Sequence, residues 1–560
     1  MIKYIYVLLA MISLLSCRKI DRESFVPETP KLSTDSEMMT VANGSSTIEI
    51  NVESNLPWRM ISNTSWITIV EGSGLKSGKA KVTIAKNALL ENRTGTLTLY
   101  IDDSTKQIIT ITQDAGLPVP VVVNEFYVKT TGSETNDGLS WNNATTLHKA
   151  LSISDEGDII HVAAGVYVPS TPVTGGAAAD ISFEISKNVK IIGGYPANAT
   201  SGSVATPETN KTILSGNSMA YHVMLICAAK IPDLKVSING VTVTKGNASA
   251  TASSLTINGI TFARNYAGGI IIGKSTVELN NCIVSENNSN ANCGGIYMKD
   301  DAILTLNSSK VVTNTVTGNG GGIWNDGSTL YLFNSEISNN TATGVAGGVY
   351  AIHSGTKPTY NYIYNSTIAQ NHTNTNSTAV YARKNSIFYI VNSTIYGNTS
   401  NGTAAGLRTN EASSEINLIN STVANNIGGT GTSGNGLTST ASRPINVYNS
   451  VVINNGDNQS SGADIKYQSS ILGSDVFDYN GNKLSTSVDP TNLIKPFANY
   501  GALGASAPLL TNNSAAHING MTNLQLEILF NNLNLNKSYY LIDQNNKSRV
   551  SKSAMGAAIE

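Results

Sequence analysis

A repeat of 26 to 31 residues in the second half of the chain constrains its fold more than any other feature. Each repeat contains an Asn, usually followed by Ser, then an Ile or Val, and then a second Asn. The first Asn begins Asn281-Cys282, Asn307-Ser308, Asn334-Ser335, Asn365-Ser366, Asn392-Ser393, Asn420-Ser421 and Asn449-Ser450. The second falls at Asn287, Asn314, Asn340, Asn371, Asn398, Asn426 and Asn455. A period this short is typical of a solenoid, in which each repeat forms one coil that stacks on its neighbours.

Glycine pairs recur between these Asn elements and indicate a regular bend in each coil. They lie at Gly268-Gly269, Gly294-Gly295, Gly321-Gly322 and Gly347-Gly348, followed by the weaker Ala405-Gly406. Glycine at a fixed phase suits a bend that needs positive φ or a close approach of backbones. Each period therefore holds several short strands, and successive coils are expected to stack about 4.8 Å apart. The interior is expected to be filled by apolar residues such as Leu304, Leu306, Leu330 and Leu332.

We expect residues 236–475 to form the regular coils of a right-handed parallel β-helix, because right-handed crossovers are the usual sense for parallel strands. A leucine-rich repeat has a similar period, but it needs a dense Leu framework that this sequence lacks. The recurring Asn side chains are predicted to form ladders that hydrogen-bond the coils above and below, as they do in stacked sheets. They are therefore interpreted as structural residues and not as catalytic ones.

Residues 33–115 show short strands of alternating apolar and polar residues, which predict an antiparallel β-sandwich. This segment resembles the BACON family, an immunoglobulin-like module, at Asn55-Leu56-Pro57-Trp58, Ser65-Trp66-Ile67, Asn92-Arg93-Thr94-Gly95-Thr96-Leu97 and Ile111-Thr112-Gln113. The resemblance implies association with carbohydrate or a role as a spacer. Trp58 and Trp66 could form a sugar platform, although core positions are favoured because aromatic residues dominate sandwich cores. The predicted fold class is all-β, with an immunoglobulin-like β-sandwich followed by a long right-handed parallel β-helix.

A linker is predicted over 116–124, and the N-terminal cap and first coils of the β-helix over 125–235. Glu125-Phe126-Tyr127-Val128, Gly138-Leu139-Ser140-Trp141 and a helical stretch over 147–153 resemble the opening of pectate-lyase-like β-helices, including polymorphic outer-membrane and choice-of-anchor families. The resemblance implies a strand and a helix that cap the first coil, so that no sheet edge is left open. Residues 476–560 look like the closing segment of choice-of-anchor proteins and are predicted to hold the last coils and a C-terminal cap.

The first residues are predicted to direct export. Lys3 precedes an apolar run that is too short to span a bilayer, and Leu14-Leu15-Ser16-Cys17 resembles a bacterial lipobox. The resemblance implies a signal peptide over 1–16, a lipid on Cys17, and anchoring in the outer membrane of a Gram-negative bacterium. Residues 17–32 are polar and are interpreted as a tether. An ordinary secretory signal with a chance Cys is the alternative.

The charge balance argues against a nucleic-acid partner. Charged residues make up 13% of the chain and the formal net charge is -2, so there is no basic stripe of the kind that binds nucleic acid. No Cys or His cluster has the spacing of a metal site, and neither a metal nor another cofactor is predicted.

The carboxylates in the repeat region offer one weak candidate for chemistry. β-Helix hydrolases need two or three carboxylates at one site, and lyases need a base together with a group that neutralises a uronate. Asp300-Asp301 is the only adjacent carboxylate pair in the solenoid, and Lys299 precedes it. A solvated turn after a strand is the favoured interpretation of this triplet.

An aromatic series follows the glycine pairs in the same phase as the repeat. It consists of Tyr297, Trp324, Tyr350 and Tyr381, and Arg408 continues it. Strand alternation is expected to point these side chains outward if the preceding aliphatic residues point inward. They could form a ribbon on which sugar rings stack, or they could stack on one another, or under a loop, as stabilisers of the fold.

These observations favour a surface lipoprotein that binds a polysaccharide, host glycan or matrix and has no catalytic activity. One alternative is a polysaccharide lyase or glycoside hydrolase of the β-helix class, which rests on fold analogy alone. A structural stalk or spacer is the other.

Overall fold

The computed structural model describes residues 27–117, 122–227, 234–251, 253–411, 413–429, 435–440, 442–499, 505–506, 519–549 and 555–558. The predicted signal peptide, Cys17 and most of the tether lie outside these residues. The chain divides into two compact units, Met1–Val121 and Val122–Glu560. Among the described residues, no helix is both long enough and apolar enough to cross a membrane.

The first unit is a β-sandwich of two sheets. One sheet has the strand order Leu32–Thr34, Ser46–Ser54, Gly78–Ile84, Ile67–Glu71. The other has the order Met38–Val41, Lys106–Gln113, Arg93–Tyr100, Trp58–Ser62, Ser73–Gly74. Neighbouring strands are antiparallel except that Met38–Val41 runs parallel to Lys106–Gln113, which the alternation of residues alone could not indicate.

The two candidate tryptophans of the sandwich support its core. Trp58 is buried and packs in the apolar cluster between the sheets, where its Nε1 donates a hydrogen bond to the Lys76 carbonyl at 2.9 Å. Trp66 is half-buried against the same cluster, and the Arg93 guanidinium lies 4.3 Å from the centre of its ring. Trp58 therefore occupies the core position that was favoured for it.

The second unit is a parallel β-helix with three long sheets and one short sheet. Sheet 1 contains Glu125–Val128, Ile159–Ala163, Val189–Tyr195, Lys235–Asn239, Thr276–Asn280, Ile303–Asn307, Thr329–Phe333, Thr359–Tyr364, Ser386–Val391, Glu415–Ile419, Ile445–Tyr448 and Ile465–Gln468. Sheet 2 contains Gly165–Tyr167, Thr212–Ser215, Val241–Thr244, Ile283–Ser285, Lys310–Val312, Glu336–Ser338, Thr367–Ala369, Thr394–Tyr396, Thr422–Ala424, Val451–Ile453, Ile471–Leu472, Asp475–Phe477 and Lys483–Ser487.

Sheet 3 contains Phe183–Ile185, Met224–Cys227, Ile270–Gly273, Ile296–Lys299, Ile323–Asp326, Val349–Ile352, Val380–Ala382, Leu407–Thr409, Leu437–Ser439 and Ser460–Ser461. Sheet 4, between sheets 2 and 3, contains Asn247–Ala248, Asn288–Ser289, Thr315–Val316, Thr341–Ala342, His372–Thr373 and Thr399–Ser400. The remaining strands are an antiparallel hairpin, Ser254–Ile257 with Ile260–Ala263, and the pair Ala498–Asn499 with Ala505–Ser506. Within the described residues the helices are Leu147–Ile153 and Asn523–Asn532, with 3₁₀ turns at Trp141–Asn143, Pro490–Asn492 and Lys537–Tyr539.

Apolar side chains fill the interior of the coils in register. One column on sheet 1 runs through Leu279, Leu306, Leu332, Ile363, Ile390, Leu418 and Val447, each directly paired with the next. All of them are buried, as are Leu304 and Leu330 in the neighbouring column. The parallel stack and apolar interior predicted from the repeat are confirmed.

The second Asn of each repeat forms a continuous ladder inside the coils. The Nδ2 atom of each Asn donates to the Oδ1 atom of the next, at 2.8–3.0 Å, along Asn287, Asn314, Asn340, Asn371, Asn398, Asn426 and Asn455. Each Nδ2 also donates to a backbone carbonyl, such as that of Val284 for Asn314 at 3.0 Å. These buried amides are therefore satisfied, and their predicted structural role is confirmed.

The first Asn of most repeats occupies a left-handed turn, as Asn281 does at φ 52° and Asn334 at φ 52°. The pairing of Asn307 with Asn281 in the repeat was wrong by one residue. Asn307 aligns with Asn280, and Ser308 at φ 47° occupies the turn.

The next residue of each repeat forms a second ladder, in which a backbone N–H donates to the Ser Oγ of the following coil. It includes Ser309, Ser335, Ser366, Ser393, Ser421, Ser450 and Ser470.

The two ends of the β-helix are covered differently. Helix Leu147–Ile153 buries Leu147 and Ala150 in the core of the first coils. At the other end, the parallel pairing of sheet 2 gives way to antiparallel strands, Asp475–Phe477 and Lys483–Ser487.

The C-terminal cap expected over 476–560 is only partly a cap, because residues 519–549 lie along the side of the coils. Phe530, on helix Asn523–Asn532, packs against Tyr364, Val391 and Ile419 on the outer face of sheet 1. That face is apolar in these coils, and the packing of Phe530 shields part of it from solvent.

Candidate functional site

The outer face of sheet 3 carries the aromatic series in one row. The strand register pairs Tyr297 with Trp324, Trp324 with Tyr350, Tyr350 with Tyr381, and Tyr381 with Arg408. The preceding residue on each strand points into the core, so strand alternation directs this row away from it. We call these five residues the aromatic row.

Of the two arrangements that the sequence left open, an exposed ribbon and a mutual stack, the exposed ribbon does not fit the tyrosines of the row, because they are buried. Tyr297, Tyr350 and Tyr381 are only 5%, 1% and 6% exposed. The rings pack edge to face, with centroids 6.3 Å apart for Tyr297 and Trp324, 4.4 Å for Trp324 and Tyr350, and 5.6 Å for Tyr350 and Tyr381. The Arg408 guanidinium lies 5.5 Å from the centre of the Tyr381 ring. This arrangement matches the alternative in which the rings stack on one another.

A hairpin covers the first part of the aromatic row. Its strands, Ser254–Ile257 and Ile260–Ala263, contribute Phe262 and other apolar side chains to a cluster that contains Tyr297. Tyr266, which follows the hairpin, lies 5.5 Å from Tyr297 and 5.8 Å from Trp324 between ring centroids. The hairpin therefore covers Tyr297, whereas Trp324 stays partly exposed.

A second outward row on sheet 3 binds the phenol groups of the first. The Tyr297 hydroxyl donates to Asp326 Oδ2 at 3.2 Å. Arg383 Nη1 donates to the Tyr350 hydroxyl at 2.9 Å, and Asn410 Nδ2 donates to the Tyr381 hydroxyl at 2.7 Å. Asp326, Arg383 and Asn410 each stand two residues after a member of the aromatic row, and the sequence reasoning missed them. Alternation would have found them, because residues two apart on a strand share a face.

Beyond the second row, turns from successive coils enclose a cleft of about 600 Å³ between sheets 3 and 1. Its titratable lining residues are Lys274, Asp300, Asp301, His353 and Lys357. We call it the charged cleft. The predicted Asp300-Asp301 pair does lie on an exposed turn, as the solvated-turn interpretation expects, but that turn forms a wall of the cleft. His353 and Lys357 were not assigned to any site from sequence.

The two carboxylates of the cleft are each paired with a lysine. Lys299 Nζ lies 3.3 Å from Asp300 Oδ2 and also donates to the Thr261 carbonyl at 2.9 Å. Lys357 forms an ion pair with Asp301. The cleft therefore presents donors and acceptors side by side without a strong excess of either charge.

Asp326 stands where the charged cleft meets the aromatic row. Burial raises the pKa of the Asp326 carboxyl, and the hydrogen bond from Tyr297 and the nearby His353 ring only partly offset this effect. The His353 Nδ1 atom lies 3.9 Å from Asp326 Oδ1. A carboxyl with a raised pKa beside open carboxylates can donate a proton or a hydrogen bond.

The fold and the sites define a parallel β-helix protein with an N-terminal β-sandwich. Residues 57–114 match the BACON family model, described as "Putative binding domain, N-terminal". The recognition of a BACON domain is therefore confirmed for that part of the chain. No protein of the curated set matches the chain.

The solved structures that are similar to parts of the chain include two with these descriptions. The crystal structure of pectate lyase Pel9A is 16% identical, with a TM-score of 0.42, and the match covers 63% of this chain and 80% of that one. A Bacteroides ovatus GH5 xyloglucanase in complex with an XXXG heptasaccharide is 12% identical, with a TM-score of 0.15, covering 38% of this chain and 55% of that one. Similarity at this level carries no information on substrate, and the β-helix assignment rests on the strand pairing described above.

Proposed function

We propose that this protein binds a neutral, hydroxyl-rich polysaccharide, with the charged cleft as its principal site. The observation that carries the proposal is the wall of that cleft formed by Asp300 and Asp301, in which Asp301 is paired with Lys357 of the lining and Asp300 with the preceding residue, Lys299. A sugar hydroxyl both donates and accepts hydrogen bonds, so alternating donors and acceptors suit it. In the lining, Lys274 and Lys357 are matched in number by Asp300 and Asp301, so the cleft has no excess of cations with which to hold a uronate.

The geometry of the coils supports a polymeric ligand. Turns of successive coils, about 4.8 Å apart, line the cleft and offer polar groups in series to an extended chain. The BACON match supports a binding role, since the family model describes a binding domain. In this proposal the aromatic row acts as a wall that holds Asp326 in place, and it is not a stacking platform.

Affinity gels with a set of plant and host polysaccharides test the proposal on the full chain. Asp300→Asn together with Asp301→Asn should weaken retention on the binding polysaccharide at least tenfold, because charged hydrogen bonds contribute about 1.5–3 kcal/mol each and about 1.4 kcal/mol corresponds to a factor of ten. The matched control is Lys310→Ala, which breaks an exposed ion pair with Glu336 on sheet 2. Equal retention of both variants, or no retention of the unmodified protein on any neutral polysaccharide, would refute the proposal.

Asp326 favours a second candidate function, glycoside hydrolysis. A glycosidase needs one carboxyl with a raised pKa as general acid and a second carboxylate as base or nucleophile. Asp326 would supply the first, and Asp300 or Asp301 the second. New reducing ends that disappear in Asp326→Asn would support hydrolysis, whereas retention on the gel without any product supports binding alone.

The location of the protein is proposed from the N-terminal segment, in which Cys17 follows a lipobox-like sequence. A lipid on Cys17 would anchor the protein in the outer membrane and present both units outside the cell. If the chain binds no polysaccharide, the rigid stack of coils would serve as a spacer in the same location.

A further inference from the structure

A second pocket lies at the opposite end of the β-helix from the last coils, on the outer face of sheet 1. Glu125 and Tyr127 come from the first strand, His161 from the second, and Tyr195 ends the third. The neighbouring residues Phe126 and Ile160 point into the core, so alternation directs Tyr127 and His161 outward. Together with the turn that holds Trp141 and the loop 200–203, these residues enclose about 580 Å³. We call this space the N-terminal pocket.

One wall of the N-terminal pocket is aromatic. Trp141 is buried, and its ring centroid lies 4.9 Å from that of Tyr127 and 5.1 Å from that of Tyr195. Tyr127 also stacks on the His161 ring at 5.0 Å. Tyr127 and Tyr195 remain partly exposed. Trp141 therefore supports the Tyr127 and Tyr195 rings at the edge of the pocket. These two rings are partly open to solvent, whereas the tyrosines of the aromatic row are buried.

The polar groups of the pocket lie close to one another. His161 Nδ1 lies 2.8 Å from the Tyr195 hydroxyl, and His161 Nε2 lies 3.3 Å from Glu125 Oε2. The Tyr127 hydroxyl donates to the same Glu125 oxygen at 2.8 Å. That hydrogen bond, together with burial, raises the pKa of Tyr127 to about 12. The side chains are thus fixed before any ligand arrives, which lowers the cost of binding.

Glu125 is the one acidic side chain among the residues that line the pocket. Burial lowers the pKa of His161, so the imidazole is mostly neutral and does not balance the Glu125 carboxylate. Glu125 is half-exposed and has acceptor capacity left for a ligand. An anionic ligand, such as a uronate or a phosphate, would meet this carboxylate and be repelled.

We propose that the N-terminal pocket binds one to three units of a neutral saccharide. The sugar's C–H face would lie on Tyr127 and Tyr195, and its hydroxyls would donate to Glu125. A volume of about 580 Å³ is within the range of small-molecule sites. The pocket shares no lining residue with the charged cleft, so this proposal does not depend on the function proposed for that cleft.

Nuclear magnetic resonance of the full chain, with ¹⁵N-labelled tryptophan, tests the proposal directly. The chain has four tryptophans, and Trp141→Phe identifies the indole N–H signal of Trp141. Cellotriose, xylotriose and mannotriose are the neutral probes, and trigalacturonate is the acidic one. At least one neutral trisaccharide should shift the Trp141 signal in a saturable way, and trigalacturonate should bind at least tenfold more weakly.

Two variants separate a binding site from an indirect effect. Tyr127→Ala removes part of the wall and should weaken the response at least tenfold. Leu139→Arg changes a rim residue that is 57% exposed, so the fold is not at risk, and its long side chain should block the pocket. Asp300→Asn with Asp301→Asn, in the charged cleft, should leave the Trp141 response unchanged. The proposal is overturned if no neutral probe shifts Trp141, or if the shift persists in Leu139→Arg.

Discussion

Replacing Asn371 with Ala should destabilise the coils around it by about 4 kcal/mol, because its side chain makes four buried hydrogen bonds. Asn371 Nδ2 donates to the Ile337 carbonyl at 3.1 Å and to Asn398 Oδ1 at 2.9 Å. Asn371 Oδ1 accepts from the backbone N–H and the Nδ2 of Asn340, both at 3.0 Å. A hydrogen bond contributes about 1 kcal/mol net, and a buried partner left unsatisfied costs about 1–3 kcal/mol, so about 4 kcal/mol is a conservative sum.

Hydrogen exchange followed by mass spectrometry is the appropriate assay, because a solenoid opens locally and a single unfolding midpoint would average over the coils. A loss of about 4 kcal/mol corresponds to roughly a thousandfold faster exchange, at 1.4 kcal/mol for each factor of ten. The acceleration should be confined to peptides that cover the coils of Asn340, Asn371 and Asn398.

The matched control is Asn374→Ala, in the same coil, where the side chain is exposed. Its effect should stay within about 0.5 kcal/mol, as for most surface substitutions. Equal exchange rates in the two variants would show that the amide ladder does not hold the coils together, and the reasoning would then be refuted.

Three further predictions concern the cover hairpin, Asp326 and the anchor. Phe262→Ala should loosen the hairpin over the aromatic row and increase acrylamide quenching of Trp324 fluorescence; unchanged quenching would contradict the packing described for Phe262. Because the pKa of Asp326 is raised in the folded state, its contribution to stability is present at low pH and is lost as the pH rises through that pKa. Asp326→Asn should therefore raise the melting temperature at pH 8 and change it less at pH 4, and a loss of stability at both values would contradict this. Cys17→Ala should abolish incorporation of labelled palmitate in a lipoprotein-processing bacterium, whereas labelling that survives the change would exclude Cys17 as the acceptor.

The sequence was sufficient to predict the parallel stack and the Asn ladder. A buried amide must be satisfied in every coil, and this demand imposes the same residue at the same phase, so the pattern is visible without a structure. The assignment failed at Asn307 because two neighbouring Asn positions, 280 and 281, both fit the pattern, and only the strand register distinguishes them.

The same periodicity could align the aromatic row but could not predict its exposure. Whether a ring faces solvent depends on what covers it, and the hairpin over Tyr297 is formed by residues 254–263, which are not part of the regular repeat. Edge-to-face packing, which covers Tyr350 and Tyr381, is likewise a matter of side-chain orientation and not of spacing.

The residues that line the charged cleft come together only in the tertiary structure, although the sequence contained a signal for the cleft. The repeat that begins at Asn334 is 31 residues long instead of 26 to 29, and the extra residues lengthen the turn between Val349–Ile352 and Thr359–Tyr364. That turn carries His353 and Lys357 to the Asp300-Asp301 turn, more than 50 residues earlier in the chain. The repeat thus determined which residues lie in the same layer. The lengths of the turns vary, because no hydrogen bond common to all coils fixes them. These lengths determine which side chains of different coils come into contact.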